Sequence, residues 1–201
     1  KRMDFTRPVE PAVITQCVEV AMQAPYGAQN WGIHFIVATE PAVKMQIAEF
    51  YRKACHPYLD GLAAKAGDGQ GDKQKGKGVG LYRWQADTLH DMPALVIVAM
   101  EGRLEDQPVA AMAGKFGGAL PMAWSFMLAL RARGLGSCWT TLHIYEETAV
   151  AQALGIPDNV TQTVLLPVAY YTGDDFRPAT RPPAGDYIHW NRWGDHASPA
   201  A

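Results

Sequence analysis

The most hydrophobic element of the chain, with the turn that follows it, reads GGALPMAWSFMLALRARGLGSCWTT over residues 117–141. Apolar side chains surround residues 117–133 almost completely, which predicts a central helix buried on most sides. Gly134 ends this helix, because glycine readily adopts the left-handed conformation found at helix C-termini. Residues 137–142 then predict a strand and a turn, which place two hydroxyls and free backbone N–H groups at a strand end.

Three further apolar runs, rich in β-branched residues, predict strands. The runs at residues 33–38 and 94–100 are typical of buried strands, and the run at residues 163–171 contains Pro167. Because proline has no N–H to donate to a neighbouring strand, we expect this third strand at a sheet edge or at a bulge.

Amphipathic periodicity predicts helices between these strands. Pro11 lies in the first turn of one helix, which Pro25 stops, and others are predicted at residues 41–53, near 81–90 and at 146–154. The helices and strands neither alternate strictly nor segregate cleanly. This order indicates an α+β fold in which one sheet is packed by helices.

Residues 65–80, KAGDGQGDKQKGKGVG, differ in composition from the rest of the chain, with six glycines and four lysines. Such a segment buries little apolar surface, and glycine is costly to order, so we expect a flexible surface loop. The loop is either a solvated insertion or a lid over a site, since long loops in compact domains are often functional.

The composition is that of a globular protein, because 48% of the 201 residues are hydrophobic and 19% are charged. With no internal repeat and no second core, residues 1–201 are expected to form one domain. Lysine and arginine total 18 against 20 aspartate and glutamate residues, which gives a net charge of −2. Because there is no basic excess, we expect no nucleic-acid partner.

The three cysteines, Cys17, Cys55 and Cys138, are widely spaced, and none belongs to a CxxC motif. This pattern is typical of a reducing compartment and predicts a cytoplasmic protein with buried thiols. The six histidines have no ligand spacing, so no metal site is expected. The longest apolar run, residues 119–130, is interrupted by Pro121 and is shorter than the ~20 residues that span a bilayer, so no membrane contact is expected.

Three short fragments carry candidate chemistry. Residues 24–31, APYGAQNW, follow a helix stop with small residues that allow a ligand to approach the backbone. Residues 134–143, GLGSCWTTLH, present the hydroxyls described above, and residues 176–183, FRPATRPP, contain Arg177 and Arg181, which could bind a phosphate. Taken alone, these fragments are also compatible with a simple turn, a core strand and a solvated loop.

In their order and spacing, these fragments resemble the FMN-dependent nitroreductase family. Residues 24–41 align without a gap to the family's helix–turn–strand segment, and Pro93 opens the next strand. Residues 128–141 match the buried helix and its GLGS/T.W.T continuation, while residues 154–157 match LGIP and residues 181–182 match the terminal arginine–proline. The resemblance spans nearly the whole chain apart from the Lys/Gly-rich segment.

The resemblance implies an interlaced homodimer with a central, mostly antiparallel sheet and FMN at the subunit interface. The C-terminal arm, residues 174–201, would wrap around the partner and bury its tryptophans. The family pattern places three groups of residues on the cofactor. These are Lys1, Arg2 and Arg181 at the phosphate, Pro25, Tyr26, Gly27, Ala28 and Gln29 at the flavin of the other subunit, and Thr140, Thr141 and Leu142 beside flavin N5 and O4.

The implied activity is hydride transfer from NAD(P)H through FMN to a small acceptor such as a nitroaromatic, a quinone or an enone. No side-chain acid or base is required, so no catalytic residue is predicted. Two alternatives stay open. One is another flavin chemistry, such as reductive dehalogenation or flavin fragmentation, and the other is a protein that binds or senses flavin without catalysis.

The sequence departs from the family pattern at four positions. Tyr26 stands where serine is usual, Gln29 where asparagine is usual, Trp31 where glutamine is usual, and Thr180 where lysine often occurs. Tyr26 and Trp31 are large enough to stack on the flavin ring or to crowd it. A two-residue deletion would instead align Gln29 and Trp31 with the family's glutamine and tryptophan, but the gapless alignment preserves the strand register.

Overall fold

A five-stranded sheet forms the centre of the computed structural model, which describes residues 2–27, 32–66 and 73–197. The strands are β1 (Met3–Asp4), β2 (Ile33–Ala38), β3 (Ala94–Glu101), β4 (Leu135–Ser137) and β5 (Val160–Tyr171). Their order is β1-β5-β3-β2, with β4 also paired to β5, and all pairings among the described strands are antiparallel. The predicted α+β fold with a mostly antiparallel sheet is confirmed.

Helices cover both faces of this sheet. Those in the described ranges are α1 (Pro11–Ala21), α2 (Pro41–Ala66), α3 (Lys73–Thr88), α4 (Val109–Arg131) and α5 (Glu147–Leu154). Side chains alternate along β3, so Val96 and Val98 pack with α1 and α4, whereas Leu95 and Ile97 pack with α2 and α5. Because both faces of β3 are buried, this strand reads as a continuous apolar run up to Glu101.

Strand β5 lies inside the sheet, so the edge strand predicted from Pro167 is wrong. β3 pairs along one side of β5, while β4 and a single bridge from Thr140 lie on the other. Leu165 donates its N–H to the Thr140 carbonyl. Backbone N–H directions alternate along a strand, so the nitrogen of Pro167, two residues later, faces the same side as that of Leu165. It faces the break in pairing between Ser137 and Thr140. Proline is tolerated there because no strand is in place to accept an N–H. The expected bulge occurs in β5 at Thr163 instead.

Helix α4 is longer and more exposed than the sequence predicts. It begins at Val109 and ends at Arg131. Phe126 is fully buried, but Trp124 is 56% and Leu128 is 53% exposed. The expectation of burial on most sides is therefore wrong within one chain, because α4 carries a second apolar face that its own sheet does not cover.

The Lys/Gly-rich segment is not a loop throughout. Helix α2 continues past the predicted end at residue 53 to Ala66, and α3 begins at Lys73. Residues 67–72 lie outside the described ranges. The loop expected over residues 65–80 is therefore wrong at both of its ends.

Tertiary packing explains why α3 forms despite its glycines. Ala86 of α3 is fully buried in the core beneath α2. The Arg83 guanidinium lies 2.7 Å from the Asp60 carboxylate of α2, and the His56 ring lies 3.1 Å from the Asp87 carboxylate. Packing against a neighbouring helix outweighs the weak helix propensity of glycine.

The C-terminal arm is largely exposed in its described part, residues 174–197. It contains a 3₁₀ turn, Ala184–Tyr187, and a local stack of the His189 and Trp193 rings with centroids 4.2 Å apart. Trp193 is 90% exposed. None of the described helices is both long and apolar enough to cross a membrane.

Candidate functional site

The backbone of Thr140 is fixed to the central strand. Its N–H donates to the Leu165 carbonyl at 3.1 Å, and the Leu165 N–H donates to the Thr140 carbonyl at 2.8 Å. The predicted strand over residues 137–142 is thus reduced to β4 and this one bridge, with the break in pairing beside Pro167 between them. With both backbone groups occupied, Thr140 offers a ligand only its side chain.

The hydroxyl of Thr140 is held from below by a tyrosine of α2. The Tyr51 Oη lies 2.8 Å from Thr140 Oγ1, and Tyr51 is only 1% exposed. Burial raises the pKa of the Tyr51 phenol well above its usual range, so the phenol keeps its proton at all ordinary pH values.

Thr141 and Leu142 continue from this fixed point into a 3₁₀ turn, Leu142–Glu146. Thr141 is exposed, and its carbonyl accepts the N–H of Ile144 at 3.0 Å. No acceptor for the Thr141 N–H lies among the described residues. Leu142 is half-buried and packs against the core beneath α2. The turn therefore presents the Thr141 N–H beside the Thr140 hydroxyl.

The next residue of the same turn, His143, is fully buried. Neither of its ring nitrogens has a hydrogen-bond partner in the described part of the chain. Burial lowers the pKa of His143 to about 4, so the ring is neutral near pH 7. Like the phenol of Tyr51, His143 leaves the interior below Thr140 and Thr141 uncharged.

Arg2 lines a cavity of about 380 Å³ beside β4. Its guanidinium lies 2.6 Å from the Asp175 carboxylate, and both side chains are substantially exposed. A second cation, Arg131 at the end of α4, stacks on the rings of Tyr171 and Phe176 at 4.2 and 4.3 Å. The other lining residues are Met3, Trp124, Met127, Leu128, Leu135, Gly136 and Ser137. The cavity combines two positive charges with aromatic walls.

Tyr26 and Gly27 line a different cavity, of about 290 Å³, between the β2–β3 edge and α4. The packing here is close, since a methyl group added at Gly118 would lie 3.2 Å from Tyr26 Cβ. Pro25 precedes them at the surface. The two cavities share no lining residue, so one chain does not bring this turn together with Arg2.

The remaining predicted residues are exposed or lie outside the described ranges. Arg181 is exposed, its guanidinium donates to the Thr180 carbonyl at 3.2 Å, and it lines neither cavity. Lys1, Ala28, Gln29 and Trp31 fall outside the described residues. The described His, Cys, Asp and Glu side chains include no group of three placed to hold a metal ion.

Sequence reasoning missed two residues of this region. Tyr51 lies in the helix predicted at residues 41–53, but the sequence has no signal that its hydroxyl contacts Thr140. Arg131 lies near the end of the central helix predicted at residues 117–133, and its stacking on Tyr171 and Phe176 depends on contacts between distant segments.

Comparisons with solved structures find the same fold in flavoproteins. A BluB-like flavoprotein from Clostridium difficile 630 is 18% identical, with a TM-score of 0.66, covering 95% of this chain and 93% of that chain. Iodotyrosine deiodinase bound to FMN and 3-iodo-L-tyrosine is 20% identical, with a TM-score of 0.70 and coverages of 96% and 93%. The NADPH:FMN oxidoreductase from Vibrio harveyi, complexed with NAD+, is 13% identical, with a TM-score of 0.68 and coverages of 97% and 74%.

No curated protein matches the chain in sequence. The family model of the nitroreductase family matches residues 5–170, which is most of the chain. This match agrees with the resemblance seen in the sequence fragments and with the nitroreductase-like fold of the structural neighbours. The chain therefore belongs to the nitroreductase family.

Proposed function

We propose that the protein is an FMN-dependent oxidoreductase that passes hydride from NAD(P)H through FMN to a small acceptor of the nitroaromatic, quinone or enone type. The observation that carries the proposal is the strand end at Thr140. Two backbone hydrogen bonds fix this residue to β5, so its hydroxyl and the neighbouring N–H of Thr141 are held on a rigid support. A neutral polar pair of this kind suits the N5 and O4 edge of a flavin.

When bound, FMN would supply the hydride chemistry. The protein's own residues would position the cofactor and bind its charged end. Thr140, Thr141 and Leu142 would lie along the flavin edge, and the cavity of Arg2 and Arg131 offers the positive charge that a phosphate needs. Lys1 and Arg181 would complete the phosphate site.

The Arg2–Asp175 ion pair does not oppose this role. Both side chains are exposed, at 43% and 74%, and exposed ion pairs contribute little to stability. A phosphate, with more negative charge than one carboxylate, would compete well for the Arg2 guanidinium.

We further propose that the site is completed in a homodimer. The turn of Pro25, Tyr26, Gly27, Ala28 and Gln29 would reach the flavin of the other subunit, which accounts for its separation from Arg2 within one chain. The exposed apolar face of α4 and the exposed tryptophans of the arm would be buried by the partner. A cytoplasmic location is consistent with the three free thiols.

A second candidate function is reductive dehalogenation. The chain spans 93% of the iodotyrosine deiodinase structure but only 74% of the NADPH:FMN oxidoreductase structure, so its size fits the shorter relative. Release of iodide from 3-iodo-L-tyrosine by the reduced protein would favour this candidate, and its absence alongside quinone reduction would favour the first.

The direct test is an absorbance spectrum of the protein with FMN, followed by NADH or NADPH without oxygen. Flavin bands that bleach on addition of either nucleotide would support the oxidoreductase. Bound flavin that neither nucleotide reduces would favour a binding or sensing role, and failure to bind added FMN would contradict the proposal at the cofactor.

A further inference from the structure

The contact between Tyr51 and Thr140 links the core to the strand end at a single pair of oxygens. Tyr51 is buried in α2, and the 2.8 Å contact to Thr140 Oγ1 is its only hydrogen bond among the described residues. A buried tyrosine hydroxyl needs a partner, because leaving it unpaired costs desolvation free energy. The Thr140 hydroxyl provides that partner.

The backbone of Thr140 is already immobile, so the remaining freedom of the residue is the rotation of its side chain. A threonine hydroxyl can occupy three staggered positions. The Tyr51 phenol selects the one within 2.8 Å of its own oxygen. The hydroxyl is thereby held in one direction before any ligand binds.

The two hydroxyls can offer a ligand either polarity. If Tyr51 donates its proton to Thr140, the Thr140 proton is free for an acceptor outside. If Thr140 donates to Tyr51, a lone pair of Thr140 Oγ1 is free to accept a hydrogen bond. Because the phenol does not ionise at ordinary pH, this choice is made by rotation of two O–H bonds without a change in charge.

We infer that Tyr51 is a positioning residue for the cofactor, acting through Thr140. The inference rests on the proposed function, and it assigns the Thr140 side chain, rather than its backbone, to the flavin edge. It follows from the sheet bridge that Thr140 has no free backbone donor. Tyr51 would therefore affect how tightly FMN binds without touching it.

The test is a double-mutant cycle on FMN affinity, with Tyr51→Phe, Thr140→Val and the double variant titrated by quenching of FMN fluorescence. Loss of one positioned hydrogen bond should weaken FMN binding about three- to tenfold in either single variant. If Tyr51 acts through Thr140, the double variant should bind FMN no more weakly than Thr140→Val alone. The absorbance maximum of bound flavin should shift in the same direction in Tyr51→Phe and Thr140→Val.

Two controls separate positioning from a general structural effect. Tyr58→Phe removes a phenol oxygen from an exposed position of the same helix and should leave FMN affinity unchanged. Thr140→Ser retains the hydroxyl and should bind FMN within about twofold of the unmodified protein.

Several results would overturn the inference. If Tyr51→Phe binds FMN as tightly as the unmodified protein, the positioning role of Tyr51 is refuted and the proposed function is unaffected. If the loss of FMN affinity in the double variant is the product of the losses in the two single variants, Tyr51 does not act through Thr140. If the unmodified protein does not bind FMN, the proposed function and the inference fail together.

Discussion

Contacts within a single chain hold the strand end at Thr140 in place, whereas the arm that carries Arg181 remains largely exposed. Thr140 is held by two backbone hydrogen bonds and by the buried phenol of Tyr51. The arm presents Trp193 at 90% exposure, and the Arg181 guanidinium donates a local hydrogen bond to the neighbouring Thr180 carbonyl. Folding of one chain thus prepares the proposed flavin edge, whereas the arm would be completed by the second chain of the proposed homodimer.

The largest expected effect comes from the exposed face of α4. Leu128→Asp would bury a carboxylate in the proposed subunit interface, whose desolvation costs about 4 kcal/mol and weakens dimerisation roughly 1,000-fold. Light scattering after gel filtration should show a monomer that retains no FMN. Leu62→Asp, a similarly exposed leucine on α2, is the matched control and should remain dimeric. A dimeric, FMN-bound Leu128→Asp would contradict the assignment of this face.

The burial of His143 predicts that the folded protein loses stability at acid pH. The pKa of His143 is lowered to about 4 from an ordinary value near 6.5, so the unfolded chain takes up this proton first as pH falls. The contribution to stability is fully present above pH 6.5 and is lost as pH falls toward 4, by about 3 kcal/mol in total. Urea unfolding at pH 7, 5.5 and 4, at fixed protein concentration, measures the loss.

His143→Leu removes the buried titrating group and should lose correspondingly less stability over the same pH interval. His34→Leu alters an exposed histidine and serves as the control. If His143→Leu and the unmodified protein show the same pH dependence, His143 is not the group responsible.

An intermediate effect is expected at the arm. Arg181→Ala would remove a charge-assisted phosphate contact of about 1.5–3 kcal/mol, which weakens FMN binding about 10- to 150-fold without unfolding the domain. Arg177→Ala changes another exposed arginine of the same arm and should have little effect. Equal flavin retention by Arg181→Ala and the unmodified protein after gel filtration would refute the assignment.

The smallest effect is expected where Arg2 is already paired. Asp175→Asn would free the Arg2 guanidinium from its exposed partner and strengthen FMN binding about two- to threefold. Asp174→Asn, one residue earlier, changes the charge equally without breaking this pair. Weaker FMN binding in Asp175→Asn would show that Asp175 supports the site rather than competing with it.

Local patterns predicted the strands well. The run at residues 33–38 corresponds to β2, and the run at residues 94–100 corresponds to β3 with one added residue. β3 is buried between two helical layers, so its apolar run is unbroken and ends at Glu101. β2 is the last strand in the sheet order, and its His34 and Val37 are exposed, so the burial predicted for this strand is wrong. The family could also be inferred from the sequence, because its motifs are contiguous and their order can be recognised without knowing which residues are in contact.

The mispredictions share a different cause. Pro167 lies in an inner strand because the neighbouring strand breaks beside it, and residues 73–80 are helical because α3 packs on α2. The exposed face of α4 was predicted to be buried, because the sequence does not show whether an apolar side chain is covered by its own chain or by another. Each error concerns a neighbour that local sequence does not specify.

The sequence by itself determined the fold class, the family and the segment that presents Thr140 and Thr141. Tertiary structure decided how that segment is held, because Tyr51 and Thr140 are 89 residues apart and no periodic pattern links them. It also decided that His143 is buried with no hydrogen-bond partner among the described residues and that Arg2 and Tyr26 line separate cavities. Helical and strand periods arise from short-range geometry, whereas a hydrogen bond between two distant side chains exists only once the helix and the sheet have packed together.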